Sequence, residues 1–270
     1  MTSVLNHNNS EGNFVDYGNE VLLYFDRKRK LLVKLEQGKK ISSDRGTIVA
    51  DNIVGKPIGS SFITSLNVRG WVLKPLLIDY LEKGIKRATQ VIYPKDLGFM
   101  ILMLGIESGS RVLEAGVGSG NTTAVLAYFV KPLGHVYGYE VRKEFIEIAK
   151  NNIARLGLDK YVTIKHGDIK EGIEERDLDA AVIDIPDPWE ALNSLYAALK
   201  PSAPIAFFVP SMQQLIKLYE ALNSHGGFID IKAYEILLRE IELSLTSIRP
   251  ATRMIGHTGY IVFARKVLKG

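Results

Sequence analysis

The stretch Arg111-Val-Leu-Glu-Ala-Gly-Val-Gly-Ser-Gly-Asn121 decides how this chain folds. It begins as an apolar run and passes through a carboxylate at Glu114. Three glycines at alternate positions follow the acid: Gly116, Gly118 and Gly120. The apolar segment 122–130 then predicts a helix. A buried strand, a glycine turn and a helix N-terminus form a platform where backbone approaches a nucleotide-like ligand closely.

The spacing of these glycines distinguishes between nucleotide ligands. A dinucleotide fingerprint needs G-x-G-x-x-G and a Walker loop ends in Gly-Lys-Ser/Thr, and neither pattern occurs here. A carboxylate at Glu114, two residues before Gly116, repels a pyrophosphate but attracts the ammonium of a bound amino acid. S-adenosylmethionine carries an ammonium and a sulfonium and no phosphate, so the sequence favours this methyl donor. A purely structural tight turn is the alternative.

The composition sets limits on the class of protein. The chain has 270 residues, of which 46% are hydrophobic and 24% charged, as in ordinary globular proteins. Because there is no cysteine, disulfides, cysteine zinc sites and a thiol nucleophile are excluded. The sequence has no apolar stretch near the roughly 20 residues of a membrane span and no signal-peptide core, so we expect a cytoplasmic protein without membrane contact. The histidines are too scattered to predict a metal site. A net charge of +4 permits an anionic partner such as RNA without requiring one.

Residues 1–72 predict a small β-rich domain. Short β-type runs at residues 21–25, 30–35 and 47–50 alternate with turns, a spacing that favours an antiparallel barrel or sandwich. The cations of this domain either form a solvated surface or follow an RNA backbone, where each contributes salt-dependent affinity. These cations are Arg27, Lys28, Arg29, Lys30, Lys34, Lys39, Lys40, Arg45, Lys56 and Arg69.

Residues 73–86 predict a helix that links this domain to the next. In the loop that follows, Pro94 holds Tyr93 in an extended conformation, and Asp96 stands at the predicted start of another helix. A glutamine and a tyrosine in such a loop, Gln90 and Tyr93, are placed to line the mouth of a pocket. Packing of Tyr93 between the two domains is the alternative.

Residues 73–270 predict an α/β domain built on a Rossmann-like, mostly parallel sheet of seven strands. From Arg111 onward strand and helix patterns alternate, which is typical of a parallel sheet covered by helices on both faces. The last two strands are long and predict an antiparallel addition to that sheet. After the strand before the glycine loop, the predicted strands are residues 135–139, 162–166, 180–185, 204–209, 228–239 and 260–267.

Three acids follow or end the predicted strands, at the edge where open α/β sheets bind their ligands. Glu140 follows Gly120 by 20 residues and is placed to bind both hydroxyls of a ribose. Asp168 either accepts a hydrogen bond from an adenine amino group or is a turn residue. Asp184 interrupts an apolar strand, where an acid is costly unless it is functional or well paired, so we predict a functional role. Trp189 is either core or a lid over the pocket.

The chain resembles a known family, the tRNA adenine N1-methyltransferases that act on the T-loop, in their archaeal and bacterial homotetrameric form. The resemblance covers nearly the whole chain. The glycine loop alone would indicate only a class I methyltransferase, and the other segments are the specific ones. The segments that carry the resemblance are Gln90-Val-Ile-Tyr-Pro-Lys-Asp96, Val112-Leu-Glu-Ala-Gly-Val-Gly-Ser-Gly120, Asp184-Ile-Pro-Asp-Pro-Trp189 and Gly256-His-Thr-Gly-Tyr-Ile-Val-Phe-Ala-Arg265.

The resemblance implies methyl transfer from S-adenosylmethionine to N1 of adenosine 58 of tRNA, and in some archaeal members also at position 57. It implies a homotetramer, with the N-terminal domain as a tRNA contact. Asp184 is the implied catalytic aspartate, and Tyr93 is the implied substrate-site tyrosine. Further substrate contacts are predicted for Phe208, Trp189 and His257. With Gln90 added, the predicted cofactor residues are Glu114, Gly116, Gly118, Ser119, Gly120, Asn121, Thr122, Glu140, Asp168 and Asp184.

Two positions depart from the family pattern. Many bacterial members carry a tyrosine before the proline equivalent to Pro210, and here the neighbourhood is Phe207-Phe208-Val209. Stacking is preserved by that change, whereas a hydroxyl contact is lost. Asn121 stands where other members often have a small residue. Neither departure alters the predicted cofactor.

Two other functions remain open at this stage. One is a class I methyltransferase for another substrate, such as a protein carboxylate or a small metabolite. The N-terminal domain and the Asp184–Trp189 segment count against it. The other is a non-catalytic RNA-binding subunit on the same fold. Such a subunit is expected to have lost the glycine loop or the strand-four acid, and both are intact here.

Overall fold

The computed structural model describes residues 13–86 and 90–269. The polar N-terminal stretch and part of the predicted loop before Gln90 lie outside these residues. The chain divides into two compact units, Met1–Ile85 and Lys86–Gly270. Within the described residues no helix combines the length and the apolar character that crossing a bilayer requires.

The N-terminal unit is a small antiparallel β structure. Four of its strands form one sheet in the order β2-β1-β6-β5, and β3 pairs with β4 as a separate hairpin. The strands are β1 Glu20–Tyr24, β2 Lys30–Lys34, β3 Lys40–Ser43, β4 Gly46–Val49, β5 Ser61–Ile63 and β6 Arg69–Leu73. The predicted small β-rich domain is therefore present, with three strands more than the sequence patterns indicate.

Alternation along these strands sends one set of side chains into the core and the other outward. Val21 and Leu23 of β1 lie in the core with Val72 of β6 and Phe62 of β5. Gly70 is required beside them because a side chain at that position would overlap the Phe62 ring. One face of the sheet is thus closed by packing.

The predicted helix 73–86 is shorter in the structure. Helix α1 covers Leu77–Asp79 and runs into a single π-helical turn, Tyr80–Gly84. The buried Asp79 carboxylate accepts the Leu76 N–H at 2.9 Å and so caps the first turn. This helix belongs to the N-terminal unit, whereas the sequence pattern places it in the second domain. A domain boundary at residue 72 remains a prediction.

The C-terminal unit alternates strands and helices around one sheet. Its helices are α2 Pro94–Met103, α3 Asn121–Val130, α4 Lys143–Arg155, α5 Leu192–Ala198 and α6 Met212–His225. Its strands are β7 Arg111–Ala115, β8 His135–Glu140, β9 Val162–His166, β10 Ala180–Ile183, β11 Pro204–Val209, β12 Phe228–Tyr234, β13 Ile241–Leu243, β14 Ile248–Pro250 and β15 Tyr260–Lys266.

Seven of these strands form the central sheet in the order β12-β15-β11-β10-β7-β8-β9. Only β15 runs antiparallel to its neighbours, β11 and β12. The predicted Rossmann-like, mostly parallel seven-stranded sheet is confirmed. From β7 the chain builds outward through β8 and β9, then returns to place β10 on the other side of β7. Ligands of open α/β sheets bind at such a switch point, beyond the carboxyl ends of the strands.

The end of the chain differs from its prediction in one place. Strand β12 ends at Tyr234 instead of continuing to residue 239, and the hairpin β13–β14 follows outside the central sheet. Residues 235–250 have β-type composition, but apolar and polar side chains alternate from residue 240 to residue 246. A strand inside this sheet is instead apolar on both faces, as in β10, where every residue is buried.

Candidate active site

A cavity of about 840 Å³ opens at the switch point, beyond the carboxyl ends of β7 and β10. Loops after β8, β9 and β11 complete its walls. Several predicted site residues line it: Gln90, Gly116, Gly118, Glu140, Asp168, Asp184 and Phe208. These residues come from six separate segments of the chain, so the fold brings together what the sequence separates.

Other predicted residues do not line this cavity: Tyr93, Glu114, Ser119, Gly120, Asn121, Thr122, Trp189 and His257. Those of the loop are buried behind it. The Ser119 carbonyl accepts a hydrogen bond from Asn152 of α4 at 2.8 Å. The Asn121 amide reaches the Ile92 carbonyl at 3.4 Å. These contacts hold the loop against its neighbours.

The glycine loop has a conformation that other residues rarely adopt. Gly116, Gly118 and Gly120 have φ angles of +88°, +52° and +81°. A side chain at position 116 would also overlap the main-chain carbonyl of Asp184. A Cβ at position 120 would lie 3.1 Å from the Ala149 Cβ atom of α4. The loop therefore needs glycine both for its turn and for close packing.

Glu140 is tied to the glycine loop. Its carboxylate accepts the N–H groups of Gly118 at 2.8 Å and Arg142 at 3.0 Å, and the Arg142 Nε lies 3.6 Å away. Each carboxylate oxygen has two lone pairs, so both oxygens can still accept a hydroxyl group. Because the Gly118 N–H is used by Glu140, it is not free to bind a phosphate.

Asp168 is both a turn residue and a wall of the cavity. Its Oδ1 accepts the Lys170 N–H at 2.9 Å, and its main-chain carbonyl accepts the Glu171 N–H at 3.0 Å. The Lys170 ammonium lies 3.9 Å from the other carboxylate oxygen. Asp168 can thus be a turn residue and still offer a carboxylate oxygen to an adenine amino group.

Asp184 lies directly after β10. Its N–H donates to the Ala115 carbonyl at 2.9 Å and extends the pairing with β7 by one bond. Among the described residues none donates a hydrogen bond to its carboxylate, which faces the cavity. Burial raises the pKa of Asp184 from 3.8 to about 6. The group is consequently a carboxylate at neutral pH, with its acceptor capacity unused.

Glu114 lies in β7, beneath the glycine loop, and is only 1% exposed. Neither carboxylate oxygen has a hydrogen-bond partner among residues 13–86 and 90–269. Burial raises the pKa of Glu114 from 4.5 to about 8, and the charges of Asp184 and Glu140 add to this. The Thr123 hydroxyl and amide N–H favour the ionised form without meeting hydrogen-bond geometry, and burial outweighs them. Glu114 is thus an uncompensated acid behind the cavity.

A buried network that the sequence patterns do not predict supports another wall. The Lys95 ammonium lies 2.8 Å from Asp96 Oδ1 and 2.7 Å from the Thr258 hydroxyl. The Thr258 hydroxyl donates to Asp96 Oδ2 at 2.8 Å, and Thr258 lines the cavity. The predicted helix start at Asp96 is wrong, because α2 begins at Pro94 after Tyr93. In the sequence, these residues are marked only by the two segments of the family resemblance that contain them, Gln90–Asp96 and Gly256–Arg265.

The loop before β15 is held on a second side by His257. One ring nitrogen lies 2.9 Å from the Pro210 carbonyl oxygen and the other 2.7 Å from the Glu235 carboxylate. Both partners are acceptors, which raises the pKa of His257 and favours the protonated ring. After this loop, Gly259 leaves room for the Phe208 ring, which a side chain there would overlap.

The remaining two aromatic residues have different environments. Tyr93 is extended, with φ −73° and ψ 151°, and half-buried at the start of α2. Trp189 packs partly buried against the core of the central sheet, and the Lys217 ammonium lies 5.1 Å from its ring centroid. Core packing is therefore the interpretation of Trp189 that the contacts favour.

The charges of the cavity suit a cation that carries no phosphate. Three carboxylates line it, those of Glu140, Asp168 and Asp184, and outnumber the two lining cations, Arg142 and Lys170. The loop N–H of Gly118 is occupied. The absent side chain of Gly116 leaves a backbone cradle against this acidic wall. S-adenosylmethionine fits these features, whereas a pyrophosphate would meet repulsion. The described residues include no group of acids and histidines arranged to hold a metal ion.

Known proteins are similar to this chain in sequence and in fold. A family model described as tRNA methyltransferase complex GCD14 subunit matches residues 82–249. The tRNA (adenine(57)-N(1)/adenine(58)-N(1))-methyltransferase TrmI of Methanocaldococcus jannaschii is 36% identical, across 90% of this chain and 94% of its own length.

Two solved structures are similar over nearly their whole length. The tRNA (m1A58) methyltransferase TrmI of Aquifex aeolicus gives a TM-score of 0.83 at 32% identity, covering 95% of this chain and 100% of that one. A SAM-dependent O-methyltransferase of Thermotoga maritima gives 0.90 at 37% identity, covering 98% and 99%. The chain belongs to the family of the tRNA methyltransferase complex GCD14 subunit.

Proposed function

We propose that this protein transfers a methyl group from S-adenosylmethionine to N1 of adenosine 58 in the tRNA T-loop. The observation that carries the proposal is the Asp184 carboxylate, which lines the cavity at the switch point of a methyltransferase fold and accepts no hydrogen bond from residues 13–86 and 90–269. The names of the M. jannaschii and A. aeolicus relatives supply the substrate. Methylation of position 57 as well rests on the M. jannaschii relative alone.

The residues proposed to hold the cofactor line the cavity or lie directly behind the glycine loop. Glu140 offers two acceptor oxygens to ribose hydroxyls, and Asp168 offers an acceptor to an adenine amino group. Gly116 provides the close backbone approach. When bound, S-adenosylmethionine supplies an electrophilic methyl group on a sulfonium. Glu114, behind the loop, is largely protonated at neutral pH in the free protein because its pKa is raised to about 8, and a bound cation would favour its ionised form.

Asp184 is the proposed catalytic residue. The N1 lone pair of adenine is already nucleophilic, so no base has to remove a proton before attack. The base must be oriented, and the positive charge that develops on it must be stabilised. A carboxylate that accepts a hydrogen bond from the exocyclic amine does both, and burial strengthens this interaction. The unused acceptor capacity of Asp184 supports this role.

The target base must leave its stack to reach the cavity. Phe208 lines the cavity and offers a ring on which a base can stack. Tyr93 is proposed as a second aromatic contact at the start of α2. His257 and Trp189 are proposed to support this wall through their contacts with the Pro210 carbonyl and the core.

We further propose a homotetramer in the cytoplasm. The hairpin β13–β14 supports an interface between copies, because its apolar side chains are largely exposed. They are Ile241, Leu243, Leu245 and Ile248. Light scattering on the full chain measures the molar mass of the assembly in solution. This mass is expected to be lower for a Leu243→Lys variant.

Methyl transfer to an unmodified tRNA transcript tests the function. The purified protein is incubated with methyl-labelled S-adenosylmethionine, and the RNA is digested to nucleosides. Labelled N1-methyladenosine is the expected product. If the cofactor binds but no label enters tRNA, the protein is a class I methyltransferase for another substrate. The T. maritima relative is named as an O-methyltransferase, so label on an oxygen would also refute the proposal.

A further inference from the structure

Two aromatic residues stand side by side on the outer face of the N-terminal sheet. Tyr24 of β1 pairs directly with Trp71 of β6, and their ring centroids are 6.4 Å apart. Residues opposite each other in an antiparallel pair share a face. The same row continues to Lys30 of β2 and Ser61 of β5. The row therefore runs across all four strands of the sheet.

The part of this face around Tyr24 and Trp71 is outside the hydrophobic core, although Leu22, two residues before Tyr24 on the same face, is buried. The core takes the alternate residues of the same strands, such as Leu23, Phe62 and Val72. Further along the sheet, the π-helical turn packs on Leu32, which lies 3.0 Å from where a Cβ of Gly84 would stand. Trp71 remains 37% exposed. The aromatic row is thus left open within this unit.

Cations surround the aromatic pair. Lys30 flanks Tyr24, and Arg69 precedes Trp71 by two residues on the same face, opposite Ile63. Lys28 is exposed in the adjoining turn. The nearby acid Asp26 is already bound by Arg29 at 3.0 Å and Arg45 at 3.3 Å. Glu20, the acid of β1, lies at the far end of that strand opposite Lys34.

The combination favours RNA over a protein partner. Cores of protein interfaces are poor in lysine, whereas this row places a lysine directly beside the aromatic pair. Single-stranded nucleic acids are bound by aromatic side chains that stack on bases, together with cations that follow the phosphates. A sheet with an exposed Trp71 ring, a half-buried Tyr24 ring beside it and flanking cations presents both features on one surface.

We propose that the outer face of the N-terminal sheet, formed by Tyr24, Trp71, Lys30 and Arg69, binds an unpaired segment of RNA. A base stacks on the two rings, and the two cations contact its flanking phosphates. That the bound RNA is tRNA rests on the proposed function. That the face binds unpaired RNA does not depend on the proposed function.

Fluorescence of Trp71 tests the stacking directly. The chain has 2 tryptophans, so Trp189→Phe leaves Trp71 as the only one. Titration of this full-length variant with a single-stranded oligouridylate is expected to quench the emission, since a stacked base contacts the indole ring. A fully paired RNA duplex of equal length is expected to quench it far less.

Binding of an unmodified tRNA transcript provides the second measurement. Trp71→Ala is expected to raise the Kd about tenfold, with most of the affinity recovered in Trp71→Phe. Phe14→Ala is the matched control, because Phe14 is an exposed aromatic residue of the same unit outside these four strands. Replacing Lys30 and Arg69 by glutamine is expected to lower the salt slope of binding by between about one and two.

The outcomes separate this site from the proposed function. Quenching by single-stranded RNA, with no methyl transfer to tRNA by the unaltered protein, would remove the function and keep the site. An unchanged Kd in a folded Trp71→Ala protein, without quenching, would overturn the site. A Trp71→Ala variant whose assembly in solution has a different molar mass, but whose Kd for tRNA is unchanged, would also overturn the site. That result would identify the face as a contact between copies of this chain.

Discussion

Gly116 and Asp184 lie so close together that any side chain at position 116 would overlap the main-chain carbonyl of Asp184. The first residue belongs to the loop after β7 and the second to the loop after β10. The proposed cofactor cradle and the proposed catalytic acid are therefore fixed against each other by backbone. A displacement of the backbone at either position is expected to disturb the other.

Gly116→Ala tests this relationship. The substitution adds a side chain at a φ of +88° and forces the two loops apart, so we expect at least a tenfold loss of cofactor affinity and a lower Tm. Gly157→Ala is the matched control, because its φ is +65° but its Cβ would meet no atom within 4 Å. Calorimetric titration and thermal unfolding measure both effects. Equal behaviour of the two variants would show that the close approach has no consequence.

Asp184→Asn tests the role of the carboxylate. We expect kcat to fall by roughly 10²–10³ while the cofactor still binds, because the amide cannot stabilise a developing positive charge. The kcat/KM of the unaltered protein should fall as the pH falls through about 6, because Asp184 of the free protein takes up a proton there. Rates at subsaturating tRNA from pH 5 to 8 measure this. A flat profile, or full activity in the variant, would remove Asp184 from the mechanism.

Glu114→Gln tests the cost of the uncompensated acid. Its pKa is raised from 4.5 unfolded to about 8 folded, so the native state holds the proton more tightly. Stability of the ligand-free protein should therefore fall as the pH rises from about 4.5 to about 8, and the variant should lack this loss. Urea unfolding at pH 5.5, 7 and 8.5 measures the difference, with the exposed Glu147→Gln as control. A difference that shrinks with rising pH would contradict the raised pKa.

Thr258→Val tests the buried network with Lys95 and Asp96. The valine removes a hydroxyl that bonds both charged groups, so we expect a loss of about 1–3 kcal/mol in the free energy of unfolding. Because Thr258 also lines the cavity, KM for tRNA should rise. Thr258→Ser keeps the hydroxyl and should restore both values. If serine and valine behave alike, the network does not depend on this hydroxyl.

Much of the sheet was predictable because its strands are short apolar runs between strong breakers. Strands β9 and β11 have their predicted bounds, with Gly167 and Pro210 directly after them. Alternation of strand and helix then requires crossovers, which place the carboxyl ends on one edge. That is why Glu140, Asp168 and Asp184 could be predicted to share a site, and all three line the cavity.

Contacts between distant segments could not be predicted in the same way. Thr258 and Asp96 lie 162 residues apart, and no local pattern records that pairing. His257 shows the same limit, since its ring is engaged by the Pro210 carbonyl and by Glu235 instead of lining the cavity. The hairpin β13–β14 was not predicted as a separate element, because its residues are strand-like in composition but remain outside the central sheet.

Mapping the methylated nucleotide by primer extension tests the central proposal most directly. A methyl group on N1 blocks the pairing edge of adenine, so reverse transcriptase stops before it. After incubation with the protein and S-adenosylmethionine, we predict a stop at position 58 that disappears when guanosine replaces adenosine 58. An added stop at position 57 would extend the activity to both adenosines. Unchanged methyl incorporation in a transcript without adenosines 57 and 58 would contradict the account.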